Sequence, residues 1–363
     1  MNASELNNFI VVLIYGSLVL LSLLKLSNPL KVNKKANFWF GIFLFLWSTF
    51  WLDEVLFLVT DSTIEFHSLF FVRFIQFLTP IVFYFSVLFY TNPVFRFKIS
   101  DFKYAVLPIL FLISLLLVES GFYTFQYVII GLILFQALFY TGLSYFTIRK
   151  HQKKIQQFSA NTEGINLNWL EYIILIIFIV SIIYVIYNLS YNANSLNVFI
   201  NTVFLSVVYF VAYNSLKQKE IYPAEEKQRE ELISINDSET EEIKRKLISD
   251  EELLRIKTQL KEVMETQKPY LDSELNLIKL AELLSVSTHH LSYVINTGFQ
   301  KNFFQYVNEF RIHYAKKLLK DNHKLSILGI AYESGFNSKT SFNTTFKKFT
   351  NQTPSEFKNS SDL

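Results

Sequence analysis

Apolar side chains follow two regimes along this chain. Up to residue 216 they come in near-continuous runs; beyond it they recur at spacings of three and four with polar residues between them. A run of about twenty apolar residues is the length of a helix that crosses lipid, where backbone polar groups must be satisfied internally. Seven runs qualify or nearly do: Phe9–Leu26, Phe38–Val59, Leu69–Tyr90, Tyr104–Val118, Phe125–Ile148, Trp169–Tyr187 and Leu196–Leu216. The fourth is the shortest; Lys103 can snorkel at one end, and Phe122 and Tyr123 are placed to extend it at the other. The first is read as a retained span, because no basic segment precedes it and no small-residue cleavage site follows it.

Composition supports lipid as the solvent of the first regime. Of the 363 residues 51% are hydrophobic, 17% aromatic and only 18% charged, too apolar for an ordinary soluble chain. Nine Gly and seven Pro favour long unbroken helices. The absence of Cys excludes a disulfide scaffold, thiolate metal ligation and cysteine catalysis. The net charge of +3 is uninformative until the chain is divided where its composition changes. Residues 1–216 carry 12 Lys and Arg against 9 Asp and Glu, residues 217–265 carry 10 against 14, and residues 266–363 carry 12 against 8. A near-neutral apolar block, an acidic connector and a basic C-terminal domain follow. The boundaries are set at 1–216, 217–257 and 258–363.

Loop charge orients the spans, since Lys and Arg near span ends stay in the cytoplasm. Lys25, Lys31, Lys34 and Lys35 close or follow span one. Arg96, Lys98 and Lys103 follow span three, Arg149, Lys150, Lys153 and Lys154 follow span five, and Lys217 and Lys219 follow span seven. The N-terminal tail and the loops after spans two, four and six have none. The expected location is a bacterial inner membrane, crossed many times, with the N-terminus outside and the C-terminus in the cytoplasm. Ionisable residues inside spans are few. Asp53 and Glu54 lie near the outer end of span two and Arg73 near the outer end of span three, where they can form an intramembrane ion pair or a sensing site. Glu171, beside Trp169, lies at the inner boundary. No span core holds a lysine, so retinal chemistry through a Schiff base is excluded.

Residues 217–267 read as a solvated linker, broken by Pro223 and the Asn-Asp-Ser run at 236–238. As a coil, about 50 residues would span about 40 Å root-mean-square, enough for the domain beyond to reach a duplex. Helical character returns where Ser249 and Glu252 form a capping box ahead of Leu253, Ile256, Leu260, Val263 and Met264. That stripe is either a dimerising helix or the first helix of the next domain; about two heptads is short for an independent coiled coil.

The C-terminal domain contains an internal repeat. Ala281 and Val286 are matched fifty residues later by Ala331 and Phe336. In the first copy Leu277, Leu280, Ala281 and Leu284 make an apolar helix face. Ser285-Val286 form a turn, Ser287 caps a second helix, Leu291, Val294 and Ile295 bury its inner face and Gly298 ends it. In the second copy Ser326 caps Ile327, Ile330 and Ala331, Gly335 permits the turn that Phe336 plugs, and Ser338 caps a helix with Phe342, Phe346 and Phe349 inward. A long helix, Phe303–Lys320, joins the copies. The outer faces carry what a helix in the major groove must offer: Thr288, His289, Ser292, Tyr293 and Asn296 in the first copy, and Lys339, Thr340, Asn343 and Thr344 in the second. Lys347 and Lys348 are placed for the phosphate backbone.

Residues 258–358 resemble the AraC/XylS-type DNA-binding domain. The resemblance is carried by Ile330-Ala331-Tyr332-Glu333-Ser334-Gly335-Phe336, then Ser338, Phe342, Phe346-Lys347-Lys348 and Thr353-Pro354-Ser355-Glu356-Phe357-Lys358. Leu280-Ala281, Val286-Ser287, Leu291-Ser292, Asn308, Arg311, Ala315 and Leu318-Leu319 add to it. It implies that each unit sends one helix into successive major-groove segments, with base-reading positions at His289, Ser292, Tyr293, Lys339, Thr340, Asn343 and Thr344. None of these is Arg. It also implies RNA polymerase as a partner.

The expected fold class is all-α: a seven-helix transmembrane bundle and a cytoplasmic double helix-turn-helix domain. The expected function is a membrane-anchored one-component transcription regulator that couples a membrane or envelope signal or small ligand to promoter DNA, with a second copy of the chain as a candidate partner in a homodimer. The alternative is a transporter or channel with a DNA-binding tail. No glycine-rich nucleotide loop, P-loop or zinc motif is present, and His289 and His290 are adjacent, poorly spaced for one metal. No cofactor, metal site or enzymatic activity is expected.

Overall fold

The structure, a computed structural model, describes residues 3–60, 66–190, 196–223, 225–242, 247–321 and 325–361. It is all-α, with no β-strand among the described residues. The chain forms two compact units, one of residues 1–150 and 167–221 and the other of residues 151–166 and 222–363. These limits differ from those drawn at 216 and 257: sixteen residues between predicted spans five and six belong to the C-terminal unit, as does the whole connector from Tyr222.

The first unit contains α1 (Ala3–Ser27), α2 (Lys34–Ser48), α3 (Leu52–Thr60), α4 (Phe66–Phe77), α5 (Thr79–Thr91), α6 (Val106–Glu119), α7 (Phe125–Lys154, which runs on into the second unit), α8 (Asn168–Ser190) and α9 (Leu196–Lys217). Among the described residues, six helical stretches are long and apolar enough to cross a membrane, with Lys34–Thr60 running through α2 and α3 and Phe70–Thr91 through α4 and α5. The other predicted span, Trp169–Tyr187, falls on α8, whose described apolar run is Asn168–Ile179. Apolar side chains such as Ile109, Leu110 and Ile113 on α6, and Ile130, Ile133 and Leu134 on α7, are exposed, which suits contact with lipid.

Polar side chains join these helices where apolar contact alone would leave backbone groups bare. Lys25 is buried and its Nζ donates to the Ser215 carbonyl at 2.5 Å, satisfying one of the last carbonyls of α9. Trp51 donates to Asn201 at 3.1 Å and Asn201 to Asn7 at 2.9 Å, linking α9 to α1. At Gly41 a Cβ would stand 2.8 Å from the Leu26 side chain, so α1 and α2 pack at a distance that excludes a larger residue.

Two predicted spans are interrupted. The second is broken by a 3-10 turn at Thr49–Trp51, and the third at Leu78, ahead of Pro80, which has no N–H to continue the ladder. The Gln136 side chain donates to the Phe77 carbonyl beside this break. Phe122 and Tyr123 do not extend the fourth span. The helix stops at Glu119, Gly121 turns with φ +95°, and both aromatic residues lie in the turn.

The second unit contains α10 (Glu226–Glu242), α11 (Asp250–Thr266), α12 (Leu277–Leu284), α13 (Thr288–Tyr293), a π-helical turn at Val294–Gly298, α14 (Phe303–Asp321), α15 (Ile327–Glu333), α16 (Lys339–Thr350) and α17 (Pro354–Ser361). The linker reading fails over 226–242, where the chain is helical and packs against α13. The stripe on α11 belongs to the domain. Ile256, Leu260, Val263 and Met264 are buried, and Ile256 packs with Ile248 and Val294. A second cluster, with Ile312, Ala315, Leu319, Ile330, Ala331, Phe336, Phe342 and Phe346, fills the other half. The long helix α14 borders both halves.

Candidate nucleic-acid interface

Caps and turns position the first helix pair. Asn276 caps α12 by accepting from the Lys279 amide at 2.9 Å. Ser285 ends that helix in the left-handed region, φ 54°, and the Val286 amide returns to the Ala281 carbonyl at 3.0 Å. Ser287 then caps α13 by accepting from the His290 amide at 3.1 Å. Leu291, Val294 and Ile295 are buried, as the pattern predicts.

The outward face of α13 is not open. Thr288 is 4% exposed and Ser292 7% exposed, while His289 and Tyr293 are half-buried. Tyr293 packs against the cluster around Ile256 and Val294. Helix α10 packs on α13. The Thr288 hydroxyl donates to the Glu231 carboxylate, and Ser234 Oγ lies 3.2 Å from His289 Nε2. Asn296 donates to Ser292 Oγ at 3.4 Å.

The second pair repeats the construction with a more open face. Ser326 caps α15 through the Gly329 amide at 3.0 Å, and Ser338 caps α16 through the Ser341 amide at 3.0 Å. Between them Gly335 has φ +82°, and a Cβ there would meet the Tyr270 carbonyl oxygen at 2.3 Å. The turn therefore depends on glycine twice, for its dihedral and for the approach of another backbone. Lys339, Thr340, Thr344, Lys347 and Lys348 are exposed on α16, while Phe342, Thr345 and Phe346 are buried opposite them. Asn343 is half-buried and its Oδ1 has no hydrogen-bond partner. The Lys348 ammonium lies 5.6 Å from the Phe304 ring centroid, which lets it cover apolar surface while its charge stays in water. The Ser338 hydroxyl donates to the Glu163 carboxylate.

Arg311 on α14 ties the halves together. It is fully buried, and donates from Nε to the Tyr270 carbonyl and from Nη2 to the Asp272 carbonyl, both at 2.7 Å. Its Nη1 reaches the Ala160 carbonyl and Asn308 Oδ1, each at 3.4 Å, and its guanidinium lies 5.7 Å from the Phe336 ring centroid. Burial pulls its pKa down to about 10, against the opposing pull of Asp272 and Glu274, so it stays charged at neutral pH.

Segment 151–166 is built into this unit. The Leu277 amide donates to the Phe158 carbonyl at 2.9 Å, Ser159 and Asn276 form an antiparallel bridge, and Asn308 Nδ2 donates to the Ala160 carbonyl at 2.9 Å. Ile155 and Phe158 are buried. Sequence reasoning missed Ala160, Glu163, Glu231 and Ser234. The available signals were Ile155, Phe158 and Ile165 in an otherwise polar loop, and the Leu232-Ile233 pair in an acidic one.

The membrane residues singled out lie in the other unit. Asp53 and Glu54 occupy the first turn of α3 and Arg73 lies in α4, all three exposed. Glu171 pairs with Arg149 at 3.5 Å. Among the described residues no cluster of His, Asp and Glu is arranged to hold a metal ion.

Residues 280–360 match the family described as "Helix-turn-helix domain". Relatives with the same region include an uncharacterized HTH-type transcriptional regulator of Staphylococcus aureus (strain COL), 36% identical over 85 residues, covering 23% of this chain and 11% of the relative. The HTH-type transcriptional regulator GlxA of Rhizobium meliloti (strain 1021) is 33% identical over 92 residues, 25% of this chain and 28% of the relative. An uncharacterized HTH-type transcriptional regulator of Pseudoalteromonas carrageenovora is 37% identical over 86 residues, 24% of this chain and 50% of the relative. The chain thus spans half or less of the length of each of these relatives, and the family match lies within the C-terminal unit. No solved structure matches. Paired capped helices joined by α14, the Gly335-Phe336 turn and the family match together make residues 280–360 a helix-turn-helix domain of the AraC type, the kind found in DNA-binding transcription regulators.

Proposed function

We propose that this chain is a membrane-anchored transcription regulator that reads promoter DNA in a sequence-specific way and couples that reading to a signal received by its membrane unit. The observation that carries the reading is the face of α16. Lys339, Thr340, Asn343 and Thr344 share one side at helical spacing, with Lys347 and Lys348 a turn further on, in a domain whose relatives are named transcriptional regulators. The first helix pair supplies Thr288, His289, Ser292 and Tyr293 for the adjacent groove segment. Loop charge supports a cytoplasmic C-terminus, and the six apolar helices support membrane anchoring. Homodimerisation and contact with RNA polymerase belong to the same reading, as does a sensing or ion-pair role for Asp53, Glu54 and Arg73. No catalytic step is assigned.

For the signal, the membrane unit offers an open cavity of about 590 Å³ whose lining includes Val82, Phe85, Phe97, Tyr104 and Pro108, with Lys98 and Asp101 as its charged members. Its size suits a small apolar ligand with one polar end.

The test is selection from a random-sequence duplex pool by the full-length protein in lipid nanodiscs at about 50 mM salt, a concentration at which phosphate contacts are strong. Enrichment of a motif that changes with Lys339→Ala and Asn343→Ala is expected. A pool left unenriched would refute the proposal.

A further inference from the structure

We infer that the chain carries its own lock on DNA binding: α10 covers the DNA-reading face of α13, Glu163 holds the hydroxyl that caps α16, and both contacts must break before a duplex can seat on the two helices. This rests on the reading of α13 and α16 as the DNA-reading helices.

Helix α13 shows the occlusion directly. A side chain that reads base edges has to reach the groove, yet Thr288 and Ser292 are 4% and 7% exposed, with α10 packed on their helix. An α-helix with side chains is about 10 Å across, close to the width of the major groove itself, so α10 and a duplex cannot share that face. The contacts are specific. Glu231 accepts from Thr288, and Ser234 meets His289 at 3.2 Å, so two of the four base-facing residues are already bonded to α10.

The second lock comes from a different part of the chain. Glu163 accepts from the hydroxyl of Ser338, the residue that caps α16 immediately before Lys339 and Thr340. The segment holding Glu163 is fixed in place by the Leu277 amide on Phe158, the Asn308 amide on Ala160 and the Ser159–Asn276 bridge.

The chemistry of the two locks is the same. In each, a carboxylate takes a hydroxyl at the beginning of a recognition helix, where a phosphate or base acceptor would otherwise arrive. Over residues 226–234, α10 has three carboxylates against two basic residues, and Glu231 is the carboxylate that meets α13, so the contact itself puts a negative charge where a polyanion must arrive. Release is built into the connectivity. Segment 151–166 is held between α7 and α8, and α10 follows α9, so displacement of those helices pulls on both locks.

The experiment uses the full chain in lipid nanodiscs, with a fluorescent duplex selected from a random pool by the variant carrying Glu163→Ala, Glu231→Ala and Ser234→Ala. Apparent affinity is the open-state affinity reduced by the open fraction, so the triple variant should bind at least about tenfold more tightly than the unaltered chain. Glu230→Ala removes the same charge from an exposed position on α10 and should change affinity by less than about twofold. Hydrogen exchange on saturation with the duplex should show α13 amides becoming protected while amides of 226–234 lose protection. Equal affinity of the unaltered chain and the triple variant, an equal gain from Glu230→Ala, or retained protection of 226–234 in the DNA-bound protein would each overturn the lock and leave DNA reading standing. If no variant selects any duplex, the DNA-reading assignment falls and the lock falls with it.

Discussion

Replacing Arg311 with alanine removes a side chain that ties α14 to both the 270–272 turn and the 151–166 segment. The guanidinium makes two short charged hydrogen bonds, at 2.7 Å, to the Tyr270 and Asp272 carbonyls, and two longer contacts at 3.4 Å to Ala160 and Asn308. A hydrogen bond to a charged group contributes about 1.5–3 kcal/mol, and its loss here also strands buried carbonyls. Counting only the two short bonds gives about 3–6 kcal/mol, before the space vacated beside Phe336. At 1.4 kcal/mol per factor of ten, even the lower figure speeds exchange of globally protected amides by about a hundredfold. Hydrogen exchange of the full-length protein in nanodiscs reads this directly at α14, α15 and α16. Arg311→Lys keeps a charge and loses the planar fork, so its loss should be intermediate. Exchange in Arg311→Ala within threefold of the unaltered protein would refute the argument, because the carbonyls would then be satisfied without the guanidinium.

Three further outcomes follow from the same geometry. Gly335→Ala puts a Cβ 2.3 Å from the Tyr270 oxygen at φ +82°, and strain plus overpacking should destabilise the unit by about 2–5 kcal/mol in a denaturation series. Gly41→Val forces a side chain into Leu26, against both its Cγ at 2.8 Å and its backbone nitrogen at 3.1 Å, so α1 and α2 must separate and the thermal midpoint in lipid should fall by several degrees. Lys347→Gln with Lys348→Gln should reduce the slope of log affinity against log salt by about two, with little change in the preferred sequence.

What could be read from the sequence was local. Ser249, Ser287, Ser326 and Ser338 each accept a hydrogen bond from the amide three residues on, because a cap needs only a hydroxyl and the start of a helix to declare itself. Gly335 and Phe336 were legible for the same reason, the turn requiring a positive φ next to an apolar plug. Apolar run length located the long apolar helices but not their interruptions, since Pro80 alone does not say where the ladder yields. What escaped was long-range. Thr288 meets Glu231 across 57 residues, Asn308 meets Ala160 across 148, and Ser338 meets Glu163 across 175. The acidic run at 226–242 lacks the periodic stripe of an independent helix and reads as solvated chain. Docking on α13 supplies the support that local propensity does not, with Leu232 buried.

The locks have a useful size if each is dominated by one hydrogen bond to a carboxylate. Glu231 is half-exposed, so the lower figure of about 1.5 kcal/mol applies to each, and two give about 3 kcal/mol, an open fraction near one in a hundred. Non-specific duplex binding, typically with Kd of about 10⁻⁴–10⁻⁶ M, becomes too weak to matter once reduced a hundredfold. A cognate site binds more tightly than non-specific DNA by about 4–10 kcal/mol and can overcome the same reduction. Under the proposed lock, loss of one contact would restore roughly tenfold and loss of both the full range, so binding would be graded by how many contacts are released. A single lock could give only one step. Two locks allow two, one on α10, which follows α9 in the chain, and one on the 151–166 segment, which lies between α7 and α8 in the chain.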